Sequence, residues 1–379
     1  MFAAVGIILI SILCVSHLYL KSSTPRSFTS AIAAVVAVIA ALGYYEIASE
    51  NFISRGYGGQ WVQPAIFAII FFAVLAVTKL LADYILPRSV DFGQLSARIA
   101  GVVCGIIAGL IISGALFIAI AMSPVALKWP YARFEENNIN INSPKSSLLN
   151  SDAIVAALFS WISKGSMSSD KSFGVYHADF IDQLHLNRHK AKEAGVYIIV
   201  AAEALVLPEK NAVRTFNVDQ RTFTVVRMGI KGAEIDRGGA MDNEGRVSFT
   251  PSQVRILCKK KDQAEDMTGS ARPVYPQAQL FENELITLRL DETINVARGE
   301  FESVSSYGRV AWIDLAFSVP ADMRPVLLEF KQNAVAPLPK PVVGTTEIDS
   351  PPGNEQYEED QEYEEDQEYE QERGRGRGR

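Results

Sequence analysis

The first 122 residues contain four almost uncharged apolar runs, at 2–20, 28–45, 61–81 and 99–122. Each run is close to the roughly 20 residues that a helix needs to cross the hydrocarbon layer of a bilayer. Four such runs in succession are not typical of the buried helices of a water-soluble protein. The sequence therefore predicts four transmembrane helices, the first to fourth spans, in a membrane domain over residues 1–125.

The charges beside the spans predict how the chain crosses the membrane. Lys21 and Arg26 follow the first run, whereas a cleaved signal peptide carries its positive charge before the apolar core. Lysine and arginine near the spans favour the cytoplasmic side. One side carries Lys21, Arg26, Lys79, Arg88 and Arg98, and the other carries Arg55, Lys128 and Arg133. We therefore expect both termini to lie outside the cytoplasm.

The fourth span contains a row of small residues spaced four apart, within RIAGVVCGIIAGLIISG. A glycine inside a helix costs about 1 kcal/mol against alanine in water, but a bilayer forces the backbone into helical hydrogen bonds. Small residues at this spacing let a second helix approach closely. The small-residue row consists of Gly101, Gly105, Gly109 and Ser113. It predicts a packing face between spans or between chains. A phosphate-binding loop is excluded, because neither G-K-[ST] nor a preceding strand is present.

The order of the four runs and the stretch VDFGQLSARIAGVVCGIIAGLIISGALFIA resemble the colicin V production protein (CvpA) family. Members have an aspartate-containing loop before a last helix that opens with repeated glycines, and Asp91 and the glycines of the row match this pattern. The resemblance covers residues 1–125. It implies a bacterial inner-membrane protein of the cell envelope with a part in toxin production. Some relatives carry an extracytoplasmic domain, in certain cases a serine protease, after the fourth helix.

The period of the sequence changes after the membrane domain. Residues 126–194 form a polar connector, in which 152–162 have helical spacing and Asp152 is the predicted N-cap. From 195 to 337 short alternating runs separated by turns predict an all-β, sandwich-like extramembrane domain. The runs expected to form strands are 196–207, 221–230, 252–258, 310–319 and 325–336, with Val254, Ile256 and Cys258 on one face.

The chain offers little chemistry for catalysis. A serine protease needs a nucleophilic serine with histidine and aspartate partners, and no G-x-S-x-G is present. The three cysteines, Cys14, Cys104 and Cys258, are too far apart in sequence for a zinc motif and indicate no disulfide framework. We therefore expect neither enzymatic activity nor a cofactor.

One stretch, YHADFIDQLHLNRHK, has the composition of a metal site. His185 and His189 share a helix face, and Asp182 could add a carboxylate ligand. Leu186 replaces the glutamate of H-E-x-x-H. The alternative is an amphipathic segment whose apolar side packs on the sheet, and we favour it, so that no metal is expected.

Ionisable residues near the span ends could mark an ion pathway. Glu46 ends the second span, and Lys79 and Asp83 end the third. Side chains at helix ends commonly anchor at the membrane interface, and we favour that interpretation here.

Residues 338–379 form a proline-rich linker, an acidic YEEDQE repeat and a terminal RGRGRGR. The acidic segment and the arginines that follow it together account for the whole net charge of −7, because residues 1–354 contain equal numbers of acidic and basic side chains. Such a composition cannot bury a core, so the tail is predicted to be disordered. Nucleic acid is an unexpected partner for a tail outside the cytoplasm.

These patterns predict a non-enzymatic integral membrane protein that is embedded in lipid and oligomerises through the fourth span. Its β-rich domain would bind or scaffold an unidentified protein at the cell envelope. The alternative is a channel or export component, with the helices of several chains as conduit and the β-rich domain as cap.

Overall fold

The structure, a computed structural model, describes residues 2–21, 23–86, 92–165, 171–191, 193, 195–218, 221–282, 284–304 and 307–343. Its helices are α1 (Phe2–Lys21), α2 (Thr24–Ile53), α3 (Val62–Ile85), α4 (Gln94–Ala121), α5 (Ser151–Lys164), α6 (Phe173–Tyr176), α7 (Phe180–Asn187) and α8 (Gly232–Arg237). Helices α1 to α4 are long and apolar enough to cross a membrane. The predicted four apolar helices are thereby confirmed. Arg88 and Asp91 lie outside the described residues.

Helices α1 to α4 lie side by side in the order α1–α4–α2–α3. Helices α2 and α4 are the inner pair, and α2 presents small side chains to its neighbours: Ala34, Ala37 and Ala41 are fully buried. At the end away from the β-rich region, Asp83 of α3 accepts a hydrogen bond from Lys79 at 3.1 Å and lies 3.9 Å from Arg26 of α2. These charges therefore connect helix ends.

The small-residue row of α4 packs against α1 of the same chain. A Cβ added to Gly101, Gly105 or Gly109 would lie 3.0, 2.6 and 2.6 Å from the Cα atoms of Tyr19, Val15 and Ser11, respectively. Each step of four residues along α4 is matched by four residues backwards along α1, so the two helices are antiparallel. Ser113 is buried and donates to the Leu110 carbonyl at 3.0 Å. An oligomer that used the glycine face would have to displace α1.

The strands follow the helical connector. They are β1 (Leu205–Val206), β2 (Val213–Val218), β3 (Arg221–Lys231), β4 (Val247–Phe249), β5 (Val254–Lys260), β6 (Arg272–Val274), β7 (Ala278–Phe281), β8 (Glu284–Thr287), β9 (Ile294–Val296), β10 (Glu302–Val304), β11 (Gly308–Phe317), β12 (Met323–Phe330), β13 (Ala334–Pro337) and β14 (Val342–Val343). The large sheet has the order β14-β2-β3-β11-β7-β8, with β1 on β3 and β10 on β11. The small sheet has the order β13-β12-β5-β6, and β4 pairs with β9. All these pairings are antiparallel except that of β14 with β2.

The main core lies between the large and small sheets. Val226 and Met228 of β3 and Leu315 of β11 pack in one cluster with Ile256 and Phe330 of the small sheet. Val254, Ile256 and Cys258 share the inner face of β5, as predicted, so the sandwich-like β fold is confirmed. The opposite face of the small sheet is covered by α6, where Val175 packs on Leu257. From membrane to periphery, the layers are therefore the membrane helices, α5 to α7, the small sheet and the large sheet.

Several details differ from the sequence expectations; for example, the run 325–336 forms two strands, β12 and β13. Helix α5 begins at Ser151 with Asn150 as its N-cap residue, so that Asp152 lies inside the first turn. Val342 and Val343, in the expected linker, add a strand to the large sheet beside β2. The acidic repeat and the RG end lie outside the described residues.

Candidate functional site

The β domain is joined to the membrane helices through an extended segment, residues 197–202, which we call the junction segment. Its apolar side chains pack on the loop between α2 and α3: Ile198 and Ile199 form a buried cluster with Ile53 and Val62. The sequence predicted a strand over 196–207, but only Leu205–Val206 form one. The segment lies instead between two parts of the molecule.

Side chains, not a neighbouring strand, satisfy the backbone of the junction segment. Gln60 accepts from the amides of Ile198 and Ile199 and donates to the Ile199 carbonyl at 3.2 Å. Asn187 donates to the Ile198 carbonyl, and Gln253 donates to the Tyr197 carbonyl. Asn333 accepts from the Val200 amide and donates to the Val200 carbonyl, and Glu50 accepts from the Ala202 amide. These residues belong to α2, the following loop, α7 and the turns that flank β5, β12 and β13 of the small sheet, so the segment connects four parts of the molecule.

A second connection, the Glu46–Arg255 network, is a chain of polar side chains from α2 to the small sheet that is buried except at the partly exposed Glu46. Glu46 accepts from Tyr45 at 2.8 Å and lies 3.0 Å from Nε2 of His177. Nδ1 of His177 lies 3.2 Å from Oε1 of Gln183, whose amide nitrogen donates to Glu329 at 2.7 Å. Glu329 Oε2 accepts from Nε and Nη2 of Arg255 at 3.0 and 2.7 Å. The network consists of Glu46, His177, Gln183, Glu329 and Arg255.

The position of His177 in this network favours its charged form. Gln183 must turn its amide nitrogen to the Glu329 carboxylate, so it turns an oxygen to the imidazole. Both ring nitrogens of His177 then face acceptors, and only an imidazolium donates from both. Burial lowers the pKa of His177, but the carboxylate of Glu46 outweighs burial and the pKa is raised above 6.5.

Arg255 also anchors the segment between α6 and α7. It is fully buried and donates to the carbonyl oxygens of Ala178 and Tyr176 at 2.7 and 3.3 Å. A buried charge is tolerated only when it is paired and hydrogen-bonded. Arg255 meets both conditions, so the network holds this segment against the small sheet.

Asp182, the first of the three metal-site candidates, belongs to a neighbouring polar cluster. Asp182 forms an ion pair with Arg133 of the connector, and Tyr131 donates to Asp152 of α5 at 2.5 Å. Burial raises the pKa of Asp182, and Arg133 opposes that rise. The Asp182 carboxylate is therefore paired with the Arg133 guanidinium.

The two histidine candidates have separate partners. Nδ1 of His185 lies 3.1 Å from Nη2 of Arg188, and Nε2 of His189 lies 2.8 Å from the Glu136 carbonyl. Burial lowers the pKa of both, and Arg188 lowers that of His185 further. In the described part of the chain no group of three His, Cys, Asp or Glu side chains could hold a metal ion. The apolar side of α7, with Phe180, Ile181 and Leu184, packs on the membrane helices and α5, not on the sheet as expected from the sequence.

A pocket of about 280 Å³ opens beside these two networks, between α5 and the α6–α7 segment. We call it the side pocket. Ala157 and Ser160 of α5 form one wall, and His177, Asp179 and Asp182 contribute to the other. Its lining combines small apolar, acidic and basic groups. The side pocket is therefore an opening at the level where the helices meet the β domain.

The tip of the β12–β13 hairpin contacts α2 beside the Glu46–Arg255 network. Gln332 is buried, and its amide lies 3.5 Å from the Tyr45 hydroxyl of α2. Lys331 is completely buried, and its ammonium donates to the Ser248 carbonyl at 2.9 Å and lies 5.5 Å from the centre of the Phe330 ring. Burial lowers the pKa of Lys331 to about 7.

From the sequence, Glu46 was named on its own and His177 only as part of the stretch YHADFIDQLHLNRHK, and Gln60, Asn187, Gln253 and Asn333 were missed. The only local signal was an apolar run, 196–207, whose neighbours contain scattered amides. Amide side chains carry no periodicity that reveals which backbone they will bind. Comparisons with protein-family models, curated proteins and solved structures gave no match.

Proposed function

We propose that this integral membrane protein is a non-enzymatic scaffold that holds a β-rich binding domain in a fixed orientation at the cell envelope. The observation that carries the proposal is the junction segment, because side chains of the helices and of the β domain bind it from both sides. A β domain attached in this way cannot rotate freely on its membrane anchor. Fixed presentation is useful to a domain that must meet a partner at a set height and angle.

We propose that the chain crosses the membrane in the orientation that the lysines and arginines beside the spans predict, with both termini outside the cytoplasm. The end of the helices opposite the β domain carries Arg26, Lys79 and Arg98, which supports a cytoplasmic position for that end. The β domain then lies on the extracytoplasmic side of the inner membrane. Fusion of alkaline phosphatase or green fluorescent protein after Asn150 is the test. We expect phosphatase activity without fluorescence, and the reverse result would contradict this orientation.

Partner binding is testable at the β8 edge of the large sheet. The β7–β8 hairpin exposes Phe281 and Ile286, each about half exposed, at the end of the sheet order. A photo-reactive amino acid at Phe281 or Ile286 should yield a discrete cross-linked product in intact cells. The same amino acid at exposed Lys210 is the control. Products that are the same at all three positions, or none at all, would contradict a binding edge here.

Membership of the colicin V production protein family and a part in toxin production belong to this proposal as well. They rest on the helix order and on the glycines that α1 covers. A chimera with residues 1–125 in place of the membrane region of a family member should restore colicin V production to cells that lack that member. Failure of a stably inserted chimera would contradict the family assignment.

The alternative of a conduit receives less support from the helix arrangement. Alanine side chains fill the contact face of α2, and the charged side chains of the described spans lie towards their ends. A conduit would therefore have to form between several copies of the chain. Solute flux into proteoliposomes that rises steeply with the amount of protein per vesicle would favour it.

A further inference from the structure

Helix α5 has three faces, and each face lies in a different environment. One face, with Val155, packs on the membrane helices. A second face, with Ser160 and Lys164, borders the side pocket. The third face is apolar and exposed, with Ile154 48% and Trp161 74% accessible. Each face therefore has its own chemistry, and among the residues that the structure describes only the third face has no protein neighbour.

The contact of α5 with α4 places the start of α5 below the membrane surface. Ser151 occupies the space beside Gly114, where an added Cβ would collide with the Ser151 carbonyl oxygen. Arg98 marks the other end of α4. A hydrocarbon layer of about 20 residues, counted from Arg98, ends near Ile118, about 6 Å beyond Gly114. The first turn of α5 thus lies inside this edge.

The contact of α5 with α2 gives the same level for its second half. The ring of Phe159 lies 3.8 Å from the position of a Cβ on Gly43. Counted in the same way from Arg26, Gly43 lies about 5 Å inside the edge of the hydrocarbon layer. Since both halves of α5 lie at a similar depth, the helix runs along the membrane surface.

Exposed aromatic side chains lie at the same end of the helices. Tyr44 follows Gly43, Trp61 precedes α3, and Trp129 stacks near Phe2 with ring centres 5.5 Å apart. Tryptophan and tyrosine concentrate where hydrocarbon meets headgroups. Trp161 of α5 therefore fits an aromatic belt that the membrane helices already define.

We propose that α5 is a fifth membrane-embedded element that lies along the bilayer surface, with Ile154 and Trp161 in contact with lipid acyl chains. Its length of 14 residues is too short to span and suits an interfacial helix. Lipid is the occupant because this face continues the exposed apolar surface of α1 to α4. Lys164 at the end of the helix lies at the headgroup level. The inference rests on the insertion of α1 to α4 in the proposed function.

Spin-label accessibility tests this placement in the full-length protein. Single cysteines are introduced as Ile154→Cys, Trp161→Cys, Lys164→Cys, Ile69→Cys and Asn243→Cys, each with Cys14→Ala. Cys104 and Cys258 are buried and are retained. The labelled proteins are reconstituted into phosphatidylcholine–phosphatidylglycerol vesicles. Collision rates are measured with oxygen, which concentrates in lipid, and with a water-soluble nickel chelate.

We expect labels at positions 154 and 161 to collide several-fold more with oxygen than with nickel, as at exposed Ile69, which lies in the half of α3 nearer the β domain. Labels at Lys164, on the polar face of the same helix, and at Asn243, on the β domain, should favour nickel. Nickel contact at 154 and 161, with Ile69 still in lipid, would overturn this inference alone. Protection from both reagents would also overturn it, because a protein would then cover the face. Nickel contact at Ile69 would overturn the membrane insertion itself.

Discussion

His177 connects the pH of the surroundings to the attachment of the β domain. Its pKa in the folded protein is raised above 6.5, so its stabilising effect is complete below about pH 6.5 and is lost as the pH rises through the higher folded value. The charged groups that face it are Glu46 of α2, Glu329 of β12 and Arg255 of β5. The attachment should therefore be stronger in mildly acidic than in alkaline medium.

The Glu46→Gln variant tests this effect. It removes the carboxylate that holds the imidazolium, and we expect a loss of about 1.5–3 kcal/mol at pH 6, as for hydrogen bonds to charged groups, and a much smaller loss at pH 9. Thermal unfolding of the purified protein at both pH values is the measurement. Glu135→Gln, at an exposed pair with Lys145, should change stability by less than about 0.5 kcal/mol. An identical pH slope in wild type and Glu46→Gln would contradict the prediction.

Lys331 should make the protein more stable as the pH rises. Its folded pKa of about 7 lies below the 10.5 of an unperturbed lysine, so the unfolded chain binds more protons between these values. Lys331→Met should remove this rise and, at pH 7, stabilise the protein by about 1–3 kcal/mol, the cost of poorly satisfied buried donors. Denaturation at pH 7 and pH 10 measures both effects. Exposed Lys210→Met serves as control, and a destabilised Lys331→Met would show that the ammonium is needed.

At the scale of elements, the α1–α4 contact depends on missing side chains. Gly105→Ala places a methyl group 2.6 Å from the Val15 backbone, and overpacking of this kind costs about 1–3 kcal/mol. Gly6→Ala, in the same helix pair, meets only the Phe117 ring at 3.9 Å and should be neutral or slightly stabilising. The midpoint of heat-induced aggregation in detergent compares the two. Equal midpoints would mean that α1 moves aside without cost.

Helices and strands could be predicted from the sequence where their apolar residues recur with a helical or strand period. The membrane helices and β3, β5 and β11 have long apolar or alternating runs, and each was expected at its observed place. The run 196–207 has the same apolar content, but its partners are amide side chains from elsewhere in the chain. Likewise Asp152 looked like an N-cap because nothing local indicates that Tyr131 will bind its carboxylate. Local pattern cannot foresee a distant hydrogen-bond partner.

At the scale of the whole molecule, Gln60 should control how firmly the β domain is seated. Gln60→Ala leaves the amides of Ile198 and Ile199 unpaired, at a cost of about 1–3 kcal/mol each. We expect hydrogen exchange at these two amides to accelerate about tenfold or more, while exchange within β3 and β11 stays unchanged.

Asn51→Ala is the matched control, since Asn51 bonds only within α2 in the described contacts. Faster exchange throughout the β domain in Gln60→Ala would contradict a local role, because it would mean that the domain unfolds when it is released. Unchanged exchange at Ile198 and Ile199 would show that Gln60 does not hold the segment.

The Glu46–Arg255 network could not be predicted from the sequence, although some of its residues could be recognised one by one. Glu46 was expected at the end of the second span, whereas α2 continues to Ile53, and His177 was recognisable only as a histidine with polar neighbours. Their pairing depends on how α6 lies between the membrane helices and the small sheet, which is a property of the tertiary fold. The metal interpretation of Asp182 and His185 had the same weakness, because Arg133 and Arg188 compete for these side chains.

The antiparallel contact of α1 with α4 also sets an order of events during synthesis. Helix α1 is made first, yet its partner face does not exist until α4 has been translated, whereas α2 and α3 can pair as soon as both have emerged. At about 5–20 residues per second, the roughly 80 residues between Lys21 and Gly101 take about 4–16 s to make. During this interval α1 must wait in the bilayer without its glycine-lined neighbour. A ribosomal pause before α4 would lengthen the wait and should expose α1 to membrane proteases.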